Sequence, residues 1–196
     1  MNILPILLIF AAPVSVDFVR VTGPDSITQQ HLVEAIQDCS SRLAAATNNK
    51  VTIKVASLTE IPQYSDSINS LSGSSRTTAL NDSVAMAKVL GLNNKRHLVH
   101  FIQPPALVDG ERWYAGRAQS ICKSHGVSLS NAGTKQEHST VGLCHELGHT
   151  LGMSHLEDVP ATMMHPNALA YDATRLEFSS KSIRQMRLCR KRLKNL

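Results

Sequence analysis

Three histidines and one glutamate lie within residues 144–155, which read CHELGHTLGMSH. His145 and His149 are four residues apart, so on a helix both imidazoles leave the same face, one turn apart. That geometry lets two ring nitrogens approach one Zn²⁺ ion at about 2.0–2.1 Å. Glu146 follows the first histidine, where its carboxylate can take a proton from a zinc-bound water without having to bind the metal.

A third nitrogen ligand requires the helix to end early, because a helix continued to His155 would carry that side chain away from the metal. Gly152 tolerates the left-handed backbone conformation that a sharp exit needs, so His155 can return as the third ligand. Three neutral nitrogens leave the fourth position for water, as in a catalytic zinc site. The pattern HExxHxxGxxH fixes five positions, and a chance occurrence in 196 residues is negligible.

The rest of the sequence predicts the elements that must hold this segment. Beta-rich or alternating runs predict strands at residues 18–22, 51–58, 97–103, 113–121 and 127–130. Helical spacing predicts helices at residues 26–46, 79–90, 140–151 and 179–193, with Ser26 and Gln29 as a capping box and a polar loop over residues 64–78. The order indicates an α/β fold with a mostly parallel, mixed sheet and at least one antiparallel strand.

The first residues and the cysteines indicate the cellular compartment in which the protein resides. Residues 3–16 are almost wholly apolar, but as a helix they span only about 21 Å, which is too short to cross a bilayer. We interpret residues 1–16 as a secretory signal peptide, cleaved between about residues 11 and 16; a buried first strand is the alternative. Four cysteines fit two disulfides of an oxidising compartment, with all three connectivities open: Cys39, Cys122, Cys144, Cys189. The sequence thus predicts a secreted protein without a transmembrane anchor.

The net charge of +5 is concentrated at one end of the chain. From residue 181 onward there are seven basic residues and no acidic one, whereas the other 180 residues carry 13 basic and 15 acidic side chains. This tail can bind anionic glycans or membrane surfaces, although a solvated helix face explains it equally well. We expect no nucleic-acid partner and a monomeric protein.

The residues after the third histidine suggest a family. Residues 161–166 read ATMMHP. Together with HExxHxxGxxH, they resemble the metzincins, zinc endopeptidases in which that motif is followed by a methionine turn. By this resemblance Met164 lies beneath the three imidazoles as an apolar floor, with Met163 as the alternative. The resemblance implies a zincin fold with one Zn²⁺ ion, an upper part over residues 17–152 and a small irregular lower part over residues 153–196 that ends in a helix.

Within this clan the chain most resembles the reprolysins, the group of ADAM and snake-venom metalloproteinases. The stretch Gly116-Arg117-Ala118, followed by Cys122, resembles the family's antiparallel edge strand and its cysteine, and Cys189 resembles the cysteine of the family's last helix. The resemblance implies that Gly116, Arg117 and Ala118 bind the substrate strand and that a Cys122–Cys189 disulfide ties the last helix to the upper part.

Two features depart from the reprolysin pattern. Leu156 stands where reprolysins place an aspartate that supports the helix. Cys39 and Cys144 have no counterpart in the family, and are either bonded to each other or buried and free.

The resemblance implies hydrolysis of peptide bonds. Zinc would polarise the scissile carbonyl and its bound water, while Glu146 would deprotonate that water and pass the proton to the leaving amine. The alternative is a catalytically silent protein of metzincin fold, a toxin-like effector that occupies a receptor or inhibitor. Because the three histidines and Glu146 are all present, the sequence favours the enzyme.

Overall fold

A computed structural model describes residues 13–64, 73–92, 98–108, 111–113, 116–119, 122, 126–132 and 136–194. The elements are β1 (Val14–Thr22), α1 (Gln29–Ala46), β2 (Ile53–Pro62), α2 (Gly73–Val89), β3 (Leu98–Gln103), β4 (Ala106–Val108), β5 (Glu111–Trp113), β6 (Gly116–Ala118), β7 (Gly126–Asn131), α3 (Gln136–Thr150) and α4 (Ser180–Lys194). Two short 3-10 helices, Ala168–Ala170 and Ala173–Arg175, lie between α3 and α4. The predicted alternation of strands and helices is confirmed. The single strand predicted at residues 113–121 is wrong, because Trp113 ends β5 of a separate β4–β5 hairpin and β6 covers only Gly116–Ala118.

Five strands form one sheet in the order β2-β1-β3-β7-β6. All neighbours are parallel except β6, which runs antiparallel to β7 at the edge. This confirms the predicted α/β fold with a mostly parallel sheet and an antiparallel edge strand. The middle strand β3 is buried along its whole length, as expected for a strand covered on both faces.

Successive side chains of the strands point to opposite faces of the sheet and enter two separate cores. On one face, Phe18 of β1 and Ile102 of β3 pack with apolar residues of α1 and α3. On the other face, Val19 and Phe101, one residue away in each strand, pack with α2. The ligand-bearing helix α3 therefore lies on the same face of the sheet as α1.

Three helix starts differ from the prediction by more than one residue, and α3 begins at Gln136 rather than at residue 140. Helix α1 begins at Gln29, and its N-cap is Thr28, whose hydroxyl accepts a hydrogen bond from the backbone N–H of His31 at 3.2 Å. The predicted capping box at Ser26 is therefore wrong, because Ile27 is buried in the core and the backbone at residues 26–28 is not helical. Helix α2 begins at Gly73, so residues 73–78 of the predicted polar loop are helical, and residues 65–72 lie outside the described residues.

The apolar run at the start of the chain overlaps the first strand. Strand β1 begins at Val14, and Val16 is fully buried in the core shared with α1 and α3. Cleavage after Val16 would therefore remove the first three residues of β1. Residues 1–12 lie outside the described residues, so the signal peptide stays a prediction. In the part of the chain that the structure describes, no helix is long and apolar enough to cross a membrane.

All four cysteines are paired. Cys39 of α1 is bonded to Cys144 of α3, and Cys122 is bonded to Cys189 of α4. The second bond is the one that the reprolysin resemblance implies. The first joins the two helices on one face of the sheet and excludes the alternative in which those two cysteines are free.

Candidate metal centre

The structure brings His145, His149 and His155 together. The Nε2 atoms of His145 and His155 are 3.0 Å apart, and Nε2 of His149 lies 3.1 Å from each of them. His145 and His149 come from successive turns of α3, and His155 comes from the segment that follows it. These three residues form a group that could hold a metal ion.

Backbone carbonyls fix the orientation of the two helical rings. Nδ1–H of His145 donates to the carbonyl of Met163 at 2.8 Å, and Nδ1–H of His149 donates to the carbonyl of Met153 at 2.8 Å. Because a carbonyl can only accept, the proton of each neutral ring lies on Nδ1 and the lone pair of Nε2 faces the common point. Such partners behind the ligand orient the rings of metal-binding histidines.

The surroundings keep these rings neutral. Burial, together with the neighbouring His149, lowers the pKa of His145 to about 4. Burial is also the largest cause of the lowered pKa of His149 and of His155. Near pH 7 the site therefore offers three uncharged nitrogen donors.

The donor triangle fits a transition-metal ion. Its centre lies about 1.8 Å from each nitrogen, which is compatible with the distance of about 2.0–2.1 Å at which imidazole nitrogens would hold Zn²⁺. Imidazole donors suit Zn²⁺, copper, iron and nickel rather than Mg²⁺ or Ca²⁺. A three-nitrogen set also leaves coordination positions for solvent or substrate.

Gly152 ends α3 in the way that the third histidine requires. Its φ is +99°, in the region that side-chain-bearing residues rarely adopt. Its N–H donates to the carbonyl of His149 at 2.9 Å, and the N–H of Met153 donates to the carbonyl of Gly148 at 2.9 Å. This pair of bonds is a Schellman motif with glycine at its C′ position, and it turns the chain back so that His155 faces the two helical rings.

Glu146 lies between α3 and the edge strand β6. Its side chain is only 5% exposed. A Cβ on Gly116 of β6 would lie 2.5 Å from its Oε1 and 2.6 Å from its Cδ, and closer still to its Cγ. The carboxyl group therefore rests directly on the backbone of β6, beside His145.

The segment proposed to bind substrate forms the edge of the sheet. Gly116 and Ala118 pair with Ser130 and Ser128 of β7, and Arg117 is exposed. Among the described strands, none pairs with the outer side of β6. Its free backbone groups therefore can accept an added strand.

Both methionines of the turn are fully buried. Met163 supplies the carbonyl that holds His145. The Sδ atom of Met164 lies 2.5 Å from the position that a Cβ on Gly148 would occupy, so Met164 packs against α3 between the two helical ligands. The carbonyl of Met164 also accepts from the N–H of Leu156 at 3.0 Å. Leu156 is itself buried in the core, so an apolar contact occupies the place of the reprolysin aspartate.

Sequence patterns did not reveal every residue that supports the site. The side chain of Gln185 in α4 accepts a hydrogen bond from the backbone N–H of Ser154 at 3.0 Å, next to the third ligand. Gly116 and Gly148 make room for Glu146 and Met164. The Gln185 contact joins residues that are distant in sequence, and the two glycines act only by lacking a side chain. No local sequence pattern could have indicated either.

No family model and no curated protein sequence matches this chain. Solved structures do match it. Metalloproteinase-II from Bacteroides fragilis aligns with a TM-score of 0.63 and 15% identity over 92% of this chain and 53% of that protein. A chain in a structure described as a chaperone–substrate complex aligns with a TM-score of 0.53 and 14% identity, over 91% of this chain and 34% of that one.

This chain therefore spans about half the length of the Bacteroides protein and about a third of the other. At such low identities, the likeness shows the fold alone. The chain has a mixed α/β fold similar to that of a metalloproteinase, and the similarity does not assign it to the reprolysins.

Proposed function

We propose that the protein is a zinc-dependent endopeptidase. The observation that carries this proposal is the convergence of three Nε2 atoms at 3.0–3.1 Å beside a buried carboxyl group and the edge strand β6, whose outer side pairs with none of the described strands. The likeness in fold to a bacterial metalloproteinase supports the same conclusion.

His145, His149 and His155 would hold the ion. When bound there, Zn²⁺ supplies Lewis-acid polarisation of a carbonyl and lowers the pKa of water. The fixed Nδ1–H bonds of the two helical rings keep Nε2 available to the metal.

Glu146 is the proposed general base and acid. It takes a proton from the attacking water and delivers it to the leaving amine. Strand β6 would bind the substrate in an extended conformation, adding it antiparallel to Gly116, Arg117 and Ala118 through main-chain hydrogen bonds. The buried side chain of Met164 would form an apolar floor beneath the three imidazoles.

The finer assignment is part of the proposal. The Cys122–Cys189 bond and the edge strand support a reprolysin-like arrangement. Two disulfides are typical of proteins in oxidising compartments, which is consistent with secretion, and the signal peptide at residues 1–16 stays a prediction.

A single variant pair tests the proposal. Purified wild-type protein is expected to bind one Zn²⁺ ion and to cleave casein or a peptide library, and a chelator should stop the cleavage. Glu146→Ala should abolish hydrolysis while Zn²⁺ stays bound, because the residue is the base and not a ligand. Glu34→Ala removes a partly exposed carboxylate of α1 and should leave turnover unchanged.

Two outcomes would reject it. Turnover retained by Glu146→Ala would refute the assigned base. Wild-type protein that binds Zn²⁺ but cleaves nothing in the library would favour the silent binding protein of metzincin fold.

We also propose that α4 binds anionic glycans. The exposed side chains of Arg184 and Arg187 form a basic surface on a helix that contains no acidic residue. Replacing both with alanine should lower the salt concentration that elutes the protein from heparin. Arg175→Ala, which removes an exposed arginine outside α4, is the matched control. Equal elution of the double variant and the control would leave α4 as a solvated helix face.

A further inference from the structure

We infer that α4 sets the position of the third metal ligand and that Gln185 is the positioning residue for His155. The inference rests on the proposed metal site. It concerns how this chain supports the ligand that lies outside α3.

His155 needs support of a different kind from the other two ligands. The rings of His145 and His149 are held by carbonyl partners at Nδ1 and by the helix that carries them. His155 is exposed, and among the described residues no hydrogen bond reaches its Nδ1. Its ring position therefore depends on the backbone of the segment that follows the helix.

One face of α4 follows that segment. Cys189 lies against Gly152, Gln185 accepts from the N–H of Ser154, and Lys181 forms an ion pair with Asp158 at 2.8 Å. The three α4 residues are spaced by four, so they lie on one stripe of the helix. They contact the segment in reverse order along the chain, so α4 runs antiparallel beside it.

The three contacts do not constrain His155 equally. Lys181 and Asp158 are both largely exposed, so their ion pair contributes little. The Cys189 contact holds Gly152, three residues before the ligand. Met153 is fully buried, and the N–H of Leu156, directly after the ligand, donates to the carbonyl of Met164. Gln185 holds the N–H of Ser154 itself, the residue directly before His155, at 3.0 Å. Among the three α4 contacts, this bond is therefore the one that acts nearest to the third ligand, and it complements the backbone bond of Leu156 on the other side of His155.

The contact requires only an oxygen acceptor at the end of the side chain. Gln185→Leu keeps the approximate size and removes the acceptor, whereas Gln185→Glu keeps an acceptor at the same reach. Gln185→Ala is a second variant without the acceptor. Arg187→Ala, on the exposed side of the same helix, is the control.

Zn²⁺ affinity, measured by competition with a chelator, is the readout, and thermal unfolding of the metal-free proteins verifies that each is folded. We expect Gln185→Leu to weaken Zn²⁺ binding by about 10–100-fold, the range found for residues that orient a ligand from behind. Gln185→Glu and Arg187→Ala should bind like the wild type. Equal weakening by the Leu and Glu variants, or an affinity within about twofold of wild type for Gln185→Leu and Gln185→Ala, would overturn the inference.

A double-variant cycle separates positioning of His155 from a general structural effect. In the His155→Ala background, Gln185→Leu should cause no further loss of Zn²⁺ affinity, because the ligand that it positions is gone. A full additional loss would contradict the inference. None of these measurements uses turnover, so a wild-type protein that binds Zn²⁺ without cleaving peptides rejects the endopeptidase proposal alone. A wild-type protein that does not bind Zn²⁺ rejects both.

Discussion

The contact between Gly116 and Glu146 allows the position of the proposed base to be tested by adding one methyl group. Gly116→Ala places a Cβ 2.5 Å from Oε1 and 2.6 Å from Cδ of Glu146. The φ of Gly116 lies outside the left-handed region, so alanine is compatible with this backbone. The atoms that must move belong to a side chain, and the fold should therefore tolerate the substitution.

The displacement can be worked out from these distances. Non-bonded carbon atoms approach to about 3.5–4.0 Å, so the carboxyl group must withdraw by about 1 Å. A misplacement of about 1 Å in a catalytic group can cost about 100-fold in rate. We therefore expect kcat to fall by about 100-fold, which corresponds to about 2.7 kcal/mol of lost transition-state stabilisation.

Initial rates on a fluorogenic peptide, with Zn²⁺ content measured on the same samples, would check this. KM and Zn²⁺ content should stay close to wild type, because neither β6 pairing nor the ligands change. Gly142→Ala in α3 is the matched control, since its Cβ would meet Asn131 and Ser130 at ordinary distances of 3.6 and 3.7 Å. If Gly116→Ala kept wild-type kcat with full Zn²⁺ content, the carboxyl group would not need this position and the reasoning would fail.

Two further predictions concern stability. His100 is fully buried between the hydroxyls of Ser128 and Ser130, and burial lowers its pKa to about 3. Since the unfolded chain binds a proton near pH 6.5, this residue makes stability fall as pH drops below about 6.5, by about 2 kcal/mol between pH 7 and pH 5. Urea unfolding at both pH values should show this slope in wild type and a flatter one in His100→Gln, and parallel slopes would contradict it. Replacing Cys39 and Cys144 together with alanine should lower the free energy of unfolding by about 2–5 kcal/mol, because that bond closes a loop of 105 residues. Denaturant titration under non-reducing conditions measures this, and a loss below about 1 kcal/mol would be inconsistent with the stated cause.

The metal group could be anticipated because its determinants are local. Two ligands one turn apart, a glycine three residues after the second and a third histidine three residues after the glycine span eleven positions. Helix geometry and the glycine exit convert those spacings directly into a triangle of nitrogens. The central strand was equally accessible, since β3 is a nearly continuous apolar run.

Other features depend on contacts across the fold. The first helix begins at Gln29, with Thr28 as its N-cap, because Ile27 enters the core, which a capping pattern cannot show. A signal peptide and a buried strand both contain an apolar run. The sequence alone therefore cannot show that Val16 belongs to β1. The acceptor that Gln185 offers to Ser154 joins residues 31 positions apart, and nothing in either stretch indicates the other.

The two disulfides enclose the ligand segment. Cys144 immediately precedes His145, and the bond between Cys122 and Cys189 lies against Gly152. The redox potential of the surroundings therefore affects both ends of the segment from Cys144 to Gly152. A compartment rich in reduced thiols would loosen the anchor before the first ligand and the one before the third ligand together. The geometry of the donor triangle is thereby coupled to where the protein resides as well as to how it folds.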